Sequence, residues 1–529
     1  MSTLFHLLGE QPSSAMELEV STSSDFEDLQ DLAASHFAIV EPHVADVLAA
    51  DGPIVISIDG GAVREIPGPK GLPYLGNFTQ MYPDHLGHHQ RLFETYGKLS
   101  AVTTFGTTWN YTNDPNLTNI FFTESEFFTK GVIEGHPLHS FNLGDAGIFF
   151  GSTDTESWRA NHKLFLPALG PKAVKHYAPK LQDTTEGAFS VFDQLDKDGE
   201  AWDAFPYMLK LTSQAIVKLI LGMQVRHFAS ADTPLDEIVS IIIEILVLAR
   251  KVNCYGSWYG SLPFGDPQKL RNVFKMIRER LDKKMEEDEN AKMGAKELEL
   301  QEAALEPDHL IDFAIRARDS KGNRLSKDHA SLGVTVIAGA GFSTTAALLS
   351  WLIYGLVFYE GRQDRILQEL VDNDWNEDTV AAPELTDNLK FLDKRIKETQ
   401  RRHNGSFQPG RTAKTDLILP GEYKMKKDSL VILALHHLHT NSKQWDSPLR
   451  SDPDRWDTEE VKNRPAGSFQ SFGSGARSCI GFNLALEGVK IFLPKFIYRY
   501  KFTLARMDEA PDNQYVRAER RVRWPAKSE

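Results

Sequence analysis

The chain has 529 residues, 41% hydrophobic and 25% charged, an ordinary balance for a globular protein able to bury a large core. Its net charge of −14 is concentrated at the front, where residues 1–65 hold twelve Asp and Glu against Arg64 alone, a net of −11, so no basic field for nucleic acid is visible. Two widely separated cysteines, Cys254 and Cys479, exclude a disulfide framework and fit a reducing compartment.

Length alone suggests three or four domains. No evident linker interrupts the later sequence, so the chain reads as an acidic extension over 1–65 followed by one large domain over 66–529. Within the extension, Ser21 to Asp31 is rich in Ser, Asp and Glu and reads as a solvated, partly disordered tail. Its most apolar part, Phe37 to Ile58, is interrupted by Glu41, Asp46 and Asp51, whereas a spanning helix needs about 20 mostly apolar residues. There is no basic segment followed by an apolar one of the secretory type. The expectation is a cytoplasmic protein without a transmembrane anchor, peripheral membrane association being left open.

Ile66 to Asn77 is a stiff Pro- and Gly-rich entry to the folded domain. Leu99 to Asn110 carries β-type residues ahead of the turn signal Asn113-Asp114-Pro115. Trp158 and His162 fall on one helical side, after the apolar Ile148-Phe149-Phe150-Gly151. From about Pro206 helical periodicity dominates, including Leu235 to Arg250 and Leu270 to Met285. The charged stretch Asp266 to Ala303 spaces Phe274, Ile277, Leu281 and Met285 as a solvated amphipathic helix does. Val334 to Val357 is a long apolar helix interrupted by Ala340-Gly341-Phe342-Ser343-Thr344-Thr345, and threonines in such a helix commonly bond back to the preceding turn. Glu398 and Arg401 are spaced to pair on one helical face. Strand-like patches follow at Leu417 to Ile418 and Ser429 to Ala434, then Asp452-Pro-Asp-Arg455-Trp456. The fold class is mainly α with small β-sheets.

Near the C-terminus stands Phe472-Gly-Ser-Gly475-Ala-Arg477-Ser-Cys479-Ile-Gly481, directly before the helical run from Asn483. Gly475 and Gly481 permit backbone conformations and close approach to a flat ligand that a side chain would block. A helix N-terminus favours the thiolate and offers N–H groups to the sulfur. Arg477 supplies a fixed cation able to pair with a carboxylate. Such a sulfur suits a haem iron.

This pattern, Phe-x-x-Gly-x-Arg-x-Cys-x-Gly, resembles the haem-binding loop of the cytochrome P450 monooxygenases, and the resemblance runs from about Ile66 to the C-terminus. It implies the fold of that family, with haem b between the long central helix and the Cys479 loop and Cys479 as the iron ligand. Phe472, Gly475, Arg477 and Gly481 would complete the cradle. Ala340-Gly341-Phe342-Ser343-Thr344-Thr345 resembles the oxygen-binding helix motif, in which the small pair Ala340 and Gly341 leaves room above the haem face. Thr344 would organise proton delivery, while the family's acidic position is here Ser343, a weaker proton donor. Glu398, Arg401 and Arg455 resemble the family's Glu-x-x-Arg and Pro-x-Arg pair and would form a buried ion triad. Trp158 and His162 resemble the helix residues that bond a haem propionate.

The entry segment, Trp-x-x-x-His and the Leu-Leu-Ser run after Thr345 look most like the bacterial and fungal fatty-acid hydroxylases fused to their own reductase. Against those enzymes Thr107 stands at the position of a carboxylate-gripping arginine, while the partnering tyrosine survives as Tyr111. Phe149, Ala340, Ser406 and Phe407 would line an apolar pocket for a lipophilic substrate. The implied activity is insertion of one atom of O2 into that substrate, in secondary-metabolite or lipid biosynthesis, with electrons from NADPH through a separate reductase or another redox partner. Two rivals remain: a redox-partner-independent haem-thiolate isomerase or dehydratase, and a non-catalytic haem-binding protein.

Overall fold

Helical periodicity along the second half of the chain resolves, in a computed structural model, into helices gathered around one central rod. The structure describes residues 63–529 except positions 83, 124, 132–146, 256, 295, 301–304, 325, 406–408, 506–514 and 529. Before residue 63 it describes four strands. These are Ser2–Leu7, Met16–Glu19, His43–Val44 and Ile54–Ser57. They form one mixed sheet, Ser2–Leu7 running antiparallel to Met16–Glu19 and parallel to Ile54–Ser57. Ser21 to Asp31, read as a solvated tail, lies outside the described residues.

The boundary expected at Ile66 follows directly on a strand, Arg64–Glu65, that pairs in parallel with Tyr423–Met425. The β-type stretch from Leu99 folds as two antiparallel strands, Leu99–Thr104 and Thr107–Thr112. They reverse at Phe105 and Gly106, both with positive φ. Leu430–Leu433, Gly410–Ala413 and Phe128–Thr129 continue this sheet to five strands.

The helices that shape the site are α1 (His85–Tyr96), α2 (Glu156–Ala168), α3 (Pro171–Asp198), α4 (Ala204–Ile216), α5 (Glu237–Cys254), α6 (Gly265–Ala291), α7 (Lys327–Phe358), α8 (Arg362–Asp372), α9 (Lys390–Arg402) and α10 (Phe482–Arg499). Their starts follow local chemistry: the side chains of Asp84, Thr155, Asp203 and Ser326 accept first-turn N–H groups of α1, α2, α4 and α7. On α6, Ile277, Leu281 and Met285 are buried as their spacing demands, while Phe274 is only partly so.

At a rise of about 1.5 Å per residue, α7 is a rod of roughly 48 Å. It is apolar on every side because neighbours surround it, and it contributes Phe342, Ala346, Leu349, Leu352 and Ile353 to one continuous core. Close approach is bought by glycine. A Cβ added at Gly333 would lie 2.4 Å from Phe165 of α2, at Gly339 3.1 Å from Ile242 of α5, at Gly341 3.2 Å from Ile216 of α4, and at Gly355 1.6 Å from Arg395 of α9. Four helices therefore cross α7 at four different glycines.

Candidate active site

The Cys479 loop is held by its own backbone. The Cys479 N–H donates to the Phe472 carbonyl (2.9 Å) and the Ser478 N–H to that of Gly475 (3.0 Å). Gly473 and Gly475 both take φ of 71°, in the left-handed region that favours glycine. Gly481 is the N-cap of α10 with φ of −93°, so it needs no glycine conformation; its value is space, since no atom lies within 4 Å of where its Cβ would be. Cys479 is accessible to solvent. The protein packed around it pushes its thiol up, and the Gly481 N–H opposes that. A sulfur both accessible and surrounded sits on the floor of a recess.

Along α7, Ala340 and Thr344 are exposed while Ala338, Gly339, Phe342, Thr345 and Ala346 are buried. On a rod enclosed by other helices, an exposed i, i+4 pair faces an internal space. The Thr344 hydroxyl donates to the Ala340 carbonyl at 2.7 Å and that of Thr345 to Gly341 at 2.8 Å. Both threonines thus make the back-bond common in apolar helices, and Thr344 keeps its lone pairs on the open side. Ser343 is half-buried on the same turn.

Gly341 departs from expectation. Its outward side faces Ile216 of α4, so its smallness serves the helix crossing, and Ala340 is the more exposed of the pair.

The segment after α9 closes the same space. A Cβ at Gly405 would lie 3.8 Å from the Thr344 Cβ, and Asn404 Nδ2 donates to the Ser471 carbonyl at 3.4 Å, joining this segment to the Cys479 loop. Ser406 and Phe407, expected in the substrate pocket, lie outside the described residues.

The Arg477 guanidinium sits 4.9 Å over the Trp158 ring and donates to the Phe149 carbonyl at 2.8 Å. His162 stacks on Trp158 with centroids 4.8 Å apart, and burial reinforced by Arg477 lowers its basicity. The Trp158 N–H donates to the Ile148 carbonyl at 3.2 Å, which leaves His162 and Arg477 as the basic groups of this cluster. Phe149 stands beside Arg477 at this edge, and its ring lies under Lys130, whose Nζ is 3.6 Å from the centroid. Phe472 lies 6.2 Å, centroid to centroid, from Phe482.

Two cations at this edge escaped the sequence reading. Lys130 is one. Arg411 is the other, 2% exposed with its guanidinium 5.0 Å over Phe122, and its neighbour Thr412 donates to the Gly131 carbonyl at 3.0 Å. A lone basic residue in a strand or loop carries no local pattern that would mark it.

The structure brings Glu398, Arg401 and Arg455 together. Arg401 Nε and Nη2 donate to Glu398 Oε2 and Oε1 at 3.0 and 2.9 Å, and Arg455 Nε donates to Oε1 at 3.2 Å. The Trp456 N–H and the Asp452 backbone N–H complete the shell at 3.2 and 2.8 Å. Arg401 also reaches the His439, Pro448 and Arg450 carbonyls, which pins the segment that leads to the Cys479 loop. Tyr111, in contrast, is 4% exposed with its ring 4.4 Å from His89. Its ring is a core residue's.

These residues fit a haem: an accessible thiol at Cys479, a small residue and a hydroxyl exposed on α7, and cations beside Trp158. A family model described as Cytochrome P450 matches residues 66–523. The chain is 38% identical to the cytochrome P450 monooxygenase alnD of Emericella nidulans, covering 99% of each protein. It is 25% identical to the bifunctional cytochrome P450/NADPH–P450 reductase ascE of Acremonium egyptiacum over 84% of this chain and 41% of that one. It is 24% identical to leukotriene-B4 omega-hydroxylase 3 of Mus musculus, over 70% and 71%.

Proposed function

This chain belongs to the cytochrome P450 family, and from that premise we propose that it inserts one oxygen atom of O2 into a lipophilic organic substrate, with electrons from NADPH delivered by a separate reductase. The observation that carries the reading is the pairing of an accessible, anchored Cys479 with the exposed Ala340 and Thr344 in the middle of the central core helix. Haem, when bound, supplies the oxygen activation, and a cysteine thiolate ligand favours O–O cleavage.

The remaining roles belong to the chain. Cys479 presents its sulfur at the start of α10, where the Gly481 N–H stabilises negative charge. Arg477 and His162 would hold a haem carboxylate, with Lys130 and Arg411 adding cations at the same edge. Ala340 leaves room for a small ligand, and Thr344 accepts a hydrogen bond from water and relays its proton. Ser343 relays less well than a carboxylic acid, because its hydroxyl is not acidic near neutral pH. Glu398, Arg401 and Arg455 act structurally, by fixing the approach to the Cys479 loop.

A lipophilic substrate is supported by the likeness to a leukotriene-B4 omega-hydroxylase, and a role in secondary-metabolite or lipid biosynthesis is part of the proposal. The electron donor's class is supported by the likeness to a protein that joins such a domain to an NADPH–P450 reductase. Among the described residues α7 is the one helix long and apolar enough to cross a membrane, and it is the core rod. A cytoplasmic site is proposed on composition.

The deciding experiment supplies purified protein, haem, NADPH and a P450 reductase with a lipophilic substrate panel. Hydroxylated product that requires NADPH and incorporates oxygen from 18O2 is the expected result. Product formed from an oxygenated substrate without any reductase would establish the second reading, an isomerase or dehydratase, which Ser343 at the acid position favours.

A further inference from the structure

Three consecutive carbonyls of α7 each receive a hydroxyl. Ala340 and Gly341 take theirs from Thr344 and Thr345 of the same helix, at 2.7 and 2.8 Å. Phe342 takes its own from another helix: Thr212 Oγ1 of α4 lies 3.0 Å from the Phe342 carbonyl, across 130 positions of sequence. We propose that Thr212 is a positioning residue for the Ala340–Thr344 turn, holding it in a loosened geometry by this cross-helix bond. The functional part rests on the reading of Thr344 as a proton-handling residue.

The contact that makes the bond is built for it. Thr212 and Ile216 lie one turn apart on α4, and Ile216 Cδ1 would be only 3.2 Å from a Cβ on Gly341, so glycine there favours the close seating of α4 from which Thr212 reaches the next carbonyl. Thr212 is 1% exposed, and water has no route to replace it as a donor. A hydroxyl has one proton to give, and the Met208 carbonyl at 2.9 Å competes for it from within α4. Thr212 therefore stands between two helices, and its choice of acceptor bears on α7.

In an α-helix the carbonyls of 340, 341 and 342 are the acceptors for the N–H groups of 344, 345 and 346. A hydroxyl sharing such an acceptor weakens the main-chain bond and bends the helix locally. Two of the three competitors come from α7 and act wherever α7 folds. The third is present only when α4 is seated, so the seating of α4 against Gly341 decides how far the turn that carries Thr344 opens toward the recess.

The test compares Thr212→Val, which keeps the shape and removes the donor, with Thr212→Ser, which keeps the donor, both in the full haem-loaded chain. In Thr212→Val, amide hydrogen exchange over residues 341–349 should slow by about threefold or more, because the carbonyls return to their main-chain partners. The share of NADPH electrons released as hydrogen peroxide should rise about threefold, with Thr212→Ser restoring both readouts. Unchanged exchange in Thr212→Val, or a Ser variant that behaves like Val, would overturn the proposal. If exchange slows in Thr212→Val while Thr344→Ala leaves peroxide release unchanged, the geometric role of Thr212 stands and the proton role of Thr344 is the part that fails.

Discussion

The Glu398 carboxylate receives the Arg455 guanidinium at 3.2 Å across 57 positions of sequence, and neither side chain is more than 9% exposed. A carboxylate so deep in the protein is tolerable because five donors surround it, from Arg401, Arg455, Trp456 and Asp452. Arg455→Ala strands part of that charge and should cost roughly 3–5 kcal/mol, read as lowered thermal stability and weakened haem retention. A loss below about 1 kcal/mol would show that the cluster does not anchor the loop.

Gly355→Ala should destabilise by about 1–3 kcal/mol through overpacking. The new Cβ would meet Arg395 Nη2 at 1.6 Å, and Arg395 has little freedom to yield because it is 2% exposed and its Nη1 bonds Ser451 Oγ at 3.0 Å. Gly187 in α3 is the control: nothing lies within 4 Å of its Cβ position, so Gly187→Ala should stabilise by about 0.5–1 kcal/mol. Chemical denaturation of the two variants side by side measures both, and equal effects would contradict the packing account.

Acid should destabilise the fold before its carboxylates protonate. Burial lowers His89 to about 2, and burial with Arg401 nearby lowers His439 to about 3; both are 0% exposed. His439 is neutral in the fold, its Nε2 accepting the Gln470 N–H at 2.9 Å. Because the folded values lie below the unfolded one near 6.5, the unfolded chain binds more protons through that window. Stability is then full above about pH 6.5 and falls by roughly 1.4 kcal/mol per pH unit for each histidine as pH drops toward the folded values. A melting temperature flat between pH 7 and pH 5 would contradict this, and His89→Gln should shallow the slope.

Cys479→Ala should abolish the thiolate-type absorption of the ferrous carbon-monoxide complex, whereas Arg477→Leu should keep the band and weaken haem retention about 10- to 100-fold, the loss of one charged hydrogen bond. Retention of the band in Cys479→Ala would mean another residue holds the iron.

Ser343→Glu should raise turnover if proton supply limits the rate, because a carboxylic acid replaces an alcohol one residue before Thr344. Unchanged turnover together with unchanged peroxide release would place the proton relay elsewhere.

The ten-residue Cys479 loop was legible because its chemistry is local: turn glycines, a cation two residues from the sulfur and a helix start all lie within one segment. The spacing of Glu398 and Arg401 is legible as a pair on one helical face, and the resemblance adds Arg455 and burial; the Trp456 and Asp452 donors that complete the carboxylate's shell depend on distant segments meeting. Gly341 and Phe149 show the limit more sharply. Motif order places both near the haem face; the structure adds that the first packs against Ile216 of α4 and the second lies beside Arg477 and Lys130. Tyr111 matched a position, and its contact with His89 was not readable from that match.

From the linear chain alone follow the mainly helical class and the order of the motifs, since these rest on spacing and backbone preference within a few residues. Which side of each helix meets the recess was decided only by the tertiary structure. Exposure on a buried rod such as α7 is set by what packs on its other sides, and those partners, Ile216, Phe165, Ile242 and Arg395, come from four helices distributed along the chain.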